Sequence, residues 1–368
     1  MNVGVFSPLI NLCGGAEWVA INLISSLKEQ GHQIILLTDK PLNQNKFSEI
    51  FNRKISVDQQ IVFPFAFLPP PNYANIYTDS IRSLILKLKC DLLIDTYSNT
   101  ILPGMNVSYI HYPLFSLLQN RSSLLRNRIF YYPYRRFVDF TKRNLHNKLF
   151  LANSEFTSKA IKDEFNTCSH VLYPPVSNDI LNPNQIELNQ ERDDVVITIG
   201  RISSDKNLPL IPYIARNTRK DISFVIAGLL DSMEVLDSLL KLARKLGVAD
   251  RVTILSNVNR NRLRQILLNS KVYLHPKVNE HFGISIVEAM ASGCIPVTHD
   301  SGGGREFVPP NLRYSSIDEA AEKVEKAIDD WSPTQAGNFS RYAKQFSEEN
   351  FSKKFMEIFN SYLNKQFE

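Results

Sequence analysis

The run Glu280-His281-Phe282-Gly283-Ile284-Ser285-Ile286-Val287-Glu288 sets two carboxylates eight positions apart, around a glycine that opens an apolar helical pattern. Glu280 falls in the loop before that helix and Glu288 a turn or more along it. Amides near Gly283 can then face a phosphate, while each carboxylate accepts hydrogen bonds from sugar hydroxyls. The plain alternative is a surface helix with two incidental acids. Glu288, however, sits among Val287, Ala289 and Met290, and a carboxylate in an apolar stretch needs partners. A second loop, Gly200-Arg201-Ile202-Ser203-Ser204-Asp205-Lys206-Asn207, carries Arg201 and Lys206. They suit a diphosphate, arginine with a forked donor pair and lysine as a point charge. They suit equally a solvated pair capping a helix. In Cys13-Gly14-Gly15-Ala16-Glu17 two glycines run into a helix start. Their amides can approach a phosphate closely, or the pair is only a tight strand-to-helix turn.

Loops of this kind need strands to present them. Short Ile/Leu/Val-rich runs predict strands at Val3–Ser7, Gln33–Thr38, Asp91–Asp95, Val107–His111, Lys148–Ala152 and His170–Tyr173. A second series falls at Val195–Ile199, Ser223–Ala227, Val252–Leu255, Val272–Leu274 and Ile295–Thr298. Helical spacing predicts Ala16–Gln30, Ser232–Leu246, Arg260–Leu268, Ile284–Ala291 and Glu348–Leu363 between and after them. The last carries Phe351, Phe355, Ile358 and Tyr362 on one stripe, so it must pack on something. Strands alternating with helices imply parallel sheets covered on both faces. The expected fold class is α/β, with two doubly wound, Rossmann-like domains whose ligands bind at the carboxyl ends of the strands. The expected domains are residues 1–175 completed by helix 348–368, a Pro- and Asn-rich linker at 176–192, and residues 193–347.

The 368 residues exceed one ordinary α/β core, and 43% hydrophobic with 21% charged residues is globular composition. A formal charge of +5 is mild. Cys13, Cys90, Cys168 and Cys294 are scattered without a Cys-x-x-Cys pair. Three of them lie in apolar surroundings and read as small core residues, so zinc and disulfides are not expected and a reducing compartment is. Met1-Asn2-Val3-Gly4-Val5-Phe6 lacks a basic start and a cleavable apolar stretch, so no signal peptide is expected. No run approaches the roughly 18 apolar residues that span a bilayer.

In this order the three loops resemble the glycosyltransferase family 4 pattern of the GT-B fold. The Gly-Arg-x4-Lys loop, the Glu-x7-Glu segment, the run from Glu288 to Val297 and Ser301-Gly302-Gly303-Gly304-Arg305-Glu306 carry the likeness. Ser108-Tyr109-Ile110-His111-Tyr112-Pro113, Asn153-Ser154 and Val171-Leu172-Tyr173-Pro174-Pro175 narrow it. They are similar to the α-1,2-mannosyltransferases of asparagine-linked glycosylation, which extend a dolichol-linked oligosaccharide. The resemblance implies a retaining transferase with no cofactor. Its co-substrate would be a nucleotide diphosphate sugar, GDP-mannose, bound in a cleft between the domains, and its acceptor a lipid-linked glycan. It implies that Arg201 and Lys206 neutralise the leaving diphosphate, that Glu280 holds donor-sugar hydroxyls with backbone around Phe282, Gly283 and Ile284, and that Glu288 holds the ribose. Gly14 and Gly15 would let the N-terminal domain close on the phosphates, and His111 would contact the donor sugar near the reacting carbon. No Asp-x-Asp is present, so a metal is not expected: two cations and a helix N-terminus would take its part.

Residues 115–148 hold eight Lys or Arg against the single acid Asp139, with seven aromatics interleaved. Such a stretch suits an anionic membrane surface, a single-stranded nucleic acid, or a helical pair with core aromatics and solvated cations. The resemblance supplies a lipid-linked acceptor and favours the membrane, on the cytoplasmic face. No nucleic-acid partner is expected, since no RNA-binding module is present. The rival readings are a nucleotide-sugar epimerase of similar architecture and a basic nucleic-acid-binding protein.

Overall fold

The computed structural model describes residues 1–63, 75–119 and 125–367. The chain divides into two compact units, Met1–Pro175 with Glu348–Glu368, and Val176–Ser347.

In the first unit seven strands form one parallel sheet: β1 (Asn2–Phe6), β2 (Gln33–Thr38), β3 (Gln59–Val62), β4 (Leu92–Asp95), β5 (Val107–Ile110), β6 (Leu149–Ala152) and β7 (His170–Val171). Their order is β3-β2-β1-β4-β5-β6-β7. The inner strands β1, β2, β4, β5 and β6 are buried along almost their whole length, because helices cover both faces. Sequence periodicity found all of these strands except β3. That strand lies on the edge, paired only with β2, so Gln59 and Gln60 are tolerated and it lacks an apolar run.

One face of this sheet is covered by the helix Gly15–Glu29, with Val19, Leu23 and Leu27 fully buried. The C-terminal helix Glu348–Phe367 returns to that same core, where Phe355 and Phe359 are wholly buried beside residues of β1, β2 and the first helix. Its stripe therefore packs on the N-terminal unit, and Arg53 pairs with Glu348 at its start, 2.7 Å apart.

The second unit repeats the winding with β8 (Asp193–Ile199), β9 (Ser223–Gly228), β10 (Val252–Ser256), β11 (Ser270–His275), β12 (Ile295–His299) and β13 (Arg313–Tyr314), in the order β10-β9-β8-β11-β12-β13. All pairings are parallel. The two-residue β13 is too short to leave a periodic signal. In both sheets the order reverses beside the first strand, between β1 and β4 and again between β8 and β11. That reversal opens a crevice at the strand carboxyl ends.

Residues 176–192, expected as a linker, belong to the second unit. They carry two short helices, Asn178–Leu181 and Gln185–Asn189, with Val176, Ile180 and Leu181 buried. Arg260 forks onto Asp179 (2.5 and 3.0 Å), and Arg264 onto Glu187 (2.7 and 2.8 Å). Arg192 is buried, donates to the Ser270 and Ser292 carbonyls and stacks on Trp331. Ion pairs fasten this stretch instead of an apolar stripe, which is why it reads as a linker. All four cysteines are free; Cys13 and Cys294 are core residues, Cys90 is half-buried, and Cys168 is exposed.

The shared core yields a test. Phe355→Ala should destabilise the first unit by about 3–5 kcal/mol. The two tryptophans fall one in each unit, Trp18 and Trp331. In a Trp331→Phe background, urea unfolding followed by Trp18 fluorescence isolates the first unit. An unchanged midpoint would refute the docking of the C-terminal helix.

Candidate active site

The crevice between β8 and β11 brings two of the singled-out loops side by side, because those strands pair directly, Val196 against Val272 and Ile197 against Tyr273. From β8 comes Gly200–Asn207, and from β11 the loop Pro276–Gly283 leading into the helix Ile284–Ala291. Asn207, in a left-handed turn, donates to the Pro276 carbonyl at 3.0 Å and ties the loops together.

Two glycines make the close approach possible. A Cβ on Gly228 would lie 1.7 Å from the Gly200 carbonyl oxygen, so no other residue lets the end of β9 pass beside this loop. On the other side, Gly303 N donates to Glu280 O at 2.8 Å. Gly302 has φ +71°, and a Cβ there would lie 2.2 Å from the same oxygen. The Ser301–Gly304 segment thus braces the main chain of Glu280.

Glu280 is the centre of the cluster. Its Oε2 accepts from Lys206 Nζ at 3.2 Å, and its Oε1 accepts from His281 N at 3.1 Å with Lys277 Nζ at 3.6 Å. His275 Nε2 stands 3.3 Å from Oε2, close enough for attraction but off hydrogen-bond geometry. Burial pushes this carboxyl up, yet His275 and the Lys206 and Lys277 ammoniums outweigh it and hold Glu280 well below the usual range. It is therefore ionised throughout the physiological range. Burial holds His275 below its ordinary pKa despite Glu280, and its Nδ1 meets the Tyr273 hydroxyl at 3.0 Å. That hydroxyl also meets Ser285 Oγ at 2.8 Å.

Arg201 does not reach Glu280. It is 56% exposed and stands 3.9 Å from Asp205 and 3.8 Å from Asp231, held loosely enough to swing to a ligand. Asp205 lies 3.8 Å from Lys277, so Arg201 joins the cluster one charge removed. Glu288 forms a separate group further along the helix, 3.9 Å from Arg260, which is itself fixed by Asp179. Burial raises its pKa against the pull of Arg260. The Phe282 ring packs on Phe307 and Phe346, so only its main chain is available to a ligand. Gly283, at φ +96°, caps the helix Ile284–Ala291.

His111, Gly14 and Gly15 belong to the first unit. His111 follows β5, and its main-chain N donates to Asn99 Oδ1 at 2.7 Å. Its Nε2 faces the Thr96 carbonyl at 3.3 Å. A carbonyl only accepts, so Nε2 carries the proton and Nδ1 keeps its lone pair. Burial lowers the imidazole to about 4 against the help of that carbonyl, leaving His111 neutral at pH 7. Gly15 opens its helix and Gly14 caps it; the Gly14 amide donates to Glu17 Oε2 at 2.7 Å. A carboxylate of the chain therefore already occupies one of the amides expected for a phosphate.

Sequence reasoning had singled out Lys206 and Glu280, and the structure brings them into contact. It had not found His275, Lys277, Asp205, Arg260 or Asp179. Tyr273 and His275 carried a signal, since residues two apart on a strand share a face. Lys277 and Asp205 read as ordinary loop charges until the strands pair. Among the described residues no three His, Cys, Asp or Glu side chains gather as a metal set. Of the basic stretch 115–148, Arg121 lies outside the described residues, as do the side chains of Arg126, Arg128, Phe130, Tyr131 and Arg143. Tyr134 is buried there, whereas Tyr132 and Phe140 are exposed.

Comparison with known proteins gives the family and the fold. Residues 13–179 match the profile Glycosyltransferase Family 4, and residues 181–346 the profile Glycosyl transferases group 1. The Xenopus tropicalis GDP-Man:Man(3)GlcNAc(2)-PP-Dol alpha-1,2-mannosyltransferase is 26% identical over 96% of this chain and 86% of its own length. A Dictyostelium discoideum alpha-1,3/1,6-mannosyltransferase is 25% identical over 99% of this chain and 98% of its own. A solved glycosyltransferase from Rickettsia africae shares the fold at TM-score 0.73 and 15% identity, over 98% of both chains. Anabaena HepE, solved with UDP and glucose, does so at TM-score 0.75 and 16% identity, over 98% of this chain and all of that one.

The brace on Glu280 is testable by stability. Gly302→Ala should cost about 1–3 kcal/mol through contact with the Glu280 carbonyl and a strained φ. Gly337→Ala, where nothing lies within 4 Å of the added carbon, should leave the melting temperature unchanged or slightly raised. Equal melting temperatures for the two would show that the segment does not rest on Glu280.

Proposed function

The chain belongs to glycosyltransferase family 4 with the GT-B fold, and on that premise we propose that it moves mannose from GDP-mannose to a lipid-linked glycan, with retention of anomeric configuration and without a metal ion. The observation that carries this reading is the contact of Lys206 with the ionised Glu280, 3.2 Å apart at the β8–β11 crevice. One loop offers a cation to a diphosphate, and the next a carboxylate to sugar hydroxyls.

The chemistry follows from where charge develops. Breaking the bond from the anomeric carbon to the phosphate oxygen leaves negative charge on the diphosphate. Lys206 and the loosely held Arg201 meet that charge, together with the helix start at Gly283. The acceptor hydroxyl attacks from the face the leaving group departs, and its proton passes to the leaving phosphate oxygen. Glu280 accepts hydrogen bonds from the mannose hydroxyls, and Glu288 from the ribose. His111 is neutral with Nδ1 unprotonated, so it acts as an acceptor for a sugar hydroxyl instead of a charge on phosphate. Mannose and the lipid-linked acceptor are supported by the names of the relatives from Xenopus and Dictyostelium.

A lipid-linked acceptor calls for a membrane surface, proposed here to be the cytoplasmic face. Among the described residues no helix is long and apolar enough to cross a bilayer. The helix Leu125–Thr141 turns Tyr132, Arg135, Arg136 and Phe140 outward. The helix Asn75–Lys87 and the residue after it turn out Ile81, Leu84 and Leu88, at helical spacing. Aromatics, aliphatics and arginines together suit an anionic interface.

GDP-mannose should raise the melting temperature more than UDP-glucose or UDP-N-acetylglucosamine, since a ligand that binds only the native state stabilises it. Transfer should persist in EDTA. Glu280→Gln and Lys206→Ala should each lower turnover by about a hundredfold or more, with the circular dichroism spectrum unchanged. Full turnover in both variants removes the reading.

Vesicles of phosphatidylglycerol and phosphatidylcholine should sediment the protein, whereas pure phosphatidylcholine should not. The triple variant Arg135→Glu, Arg136→Glu, Phe140→Ser should lose this binding while keeping donor affinity. Equal sedimentation of parent and variant would remove the membrane assignment.

A further inference from the structure

Glu280 has two ammoniums around it, and they hold it differently. Lys206 donates to Oε2, and in the proposed reaction it is also the residue that meets the diphosphate. Lys277 Nζ lies 3.6 Å from Oε1 and 3.8 Å from Asp205, with only 18% of its side chain exposed. Once a diphosphate sits against Lys206, its negative charge cancels much of that ammonium's field at Glu280. Burial would then push the carboxyl toward its neutral form, opposed only by His275 and Lys277, because desolvation disfavours charge. A protonated Glu280 loses acceptor capacity just when sugar hydroxyls need it.

We propose that Lys277 is a positioning residue for the transfer, holding Glu280 ionised and oriented after the donor diphosphate has engaged Lys206. The inference rests on the reading of Glu280 as the donor-sugar carboxylate. The groups facing Glu280 support it. From the β8 loop come Lys206, with Asp205 and Arg201 behind it. From β11 come Lys277 and His275, and burial keeps His275 neutral. From the β12 loop the contact is main chain, Gly303 N to Glu280 O. There Ser301 accepts from Asn279 N, and His299 meets Ser301 instead of Glu280. Lys277 is thus the one described charge that faces Glu280 and is not assigned to the phosphates. Asp205 anchors it from the other side.

The test is the pH dependence of kcat/KM for GDP-mannose in the full chain, comparing parent, Lys277→Met and Lys277→Arg, with Glu280→Gln alongside. An opposite charge at this range moves a carboxyl pKa by about 1–3 units. Lys277→Met should therefore bring an acid limb up by at least about one pH unit. Its kcat/KM should approach that of the parent at pH 8, and Lys277→Arg should restore the parent profile. Superimposable profiles for Lys277→Met and parent, with Glu280→Gln inactive, overturn the proposal. If Glu280→Gln retains full kcat/KM, the functional reading itself fails. Should Lys277→Met not fold, NMR of ¹⁵N-lysine in the parent decides. On adding GDP, the Lys206 ammonium signal should shift and that of Lys277 hold, and equal shifts overturn the proposal.

Discussion

Two cations sharing one carboxylate is the interaction on which this site depends. Lys206 and Lys277 both stand against Glu280, and together with His275 they hold its carboxyl ionised against the burial that would raise its pKa. The arrangement is a charge cluster assembled from two loops that meet only because β8 and β11 are neighbours in the sheet. A parallel sheet that reverses its winding at that point leaves both loop starts uncovered by crossover helices, so the cluster faces outward at the strand ends.

Glycine supplies the tolerance such a cluster needs. Four main-chain segments meet around it, and at three points there is no room for a Cβ, at Gly228 beside Gly200, at Gly302 beside Glu280 and at Gly303 beside His281. Gly302 and Gly303 are therefore packing requirements, whereas a Cβ on Gly304 would meet only the Ile286 side chain at 3.4 Å. Arg201 marks the opposite extreme. It is more than half exposed and held only by long ion pairs, which suits a residue that must move to meet a ligand.

The same economy appears in the segment 176–192, where Arg260, Arg264 and Arg192 fasten a polar stretch with ion pairs and carbonyl contacts. Through Asp179 and Arg260 this segment reaches the neighbourhood of Glu288. It is thereby part of the scaffold of Glu288, the carboxylate proposed to hold the ribose.

The amino-acid order by itself determined the strand and helix alternation, because buried parallel strands must be short apolar runs and their crossovers amphipathic. It also marked Glu288 as a carboxylate in an apolar stretch, which needs partners, and placed Glu280, Arg201 and Lys206 in loops that follow strands. It left β3 and β13 unread, the first an edge strand with two glutamines, the second only two residues long. Only the tertiary structure decided which charges face one another. Lys277, Asp205 and His275 acquire meaning through neighbours up to 72 positions away in the chain, and local periodicity holds no information about such distances. It likewise decided that the C-terminal helix closes the first core and that His111 presents a lone pair. Both follow from burial and from partners brought together by sheet order, which residue types alone do not specify.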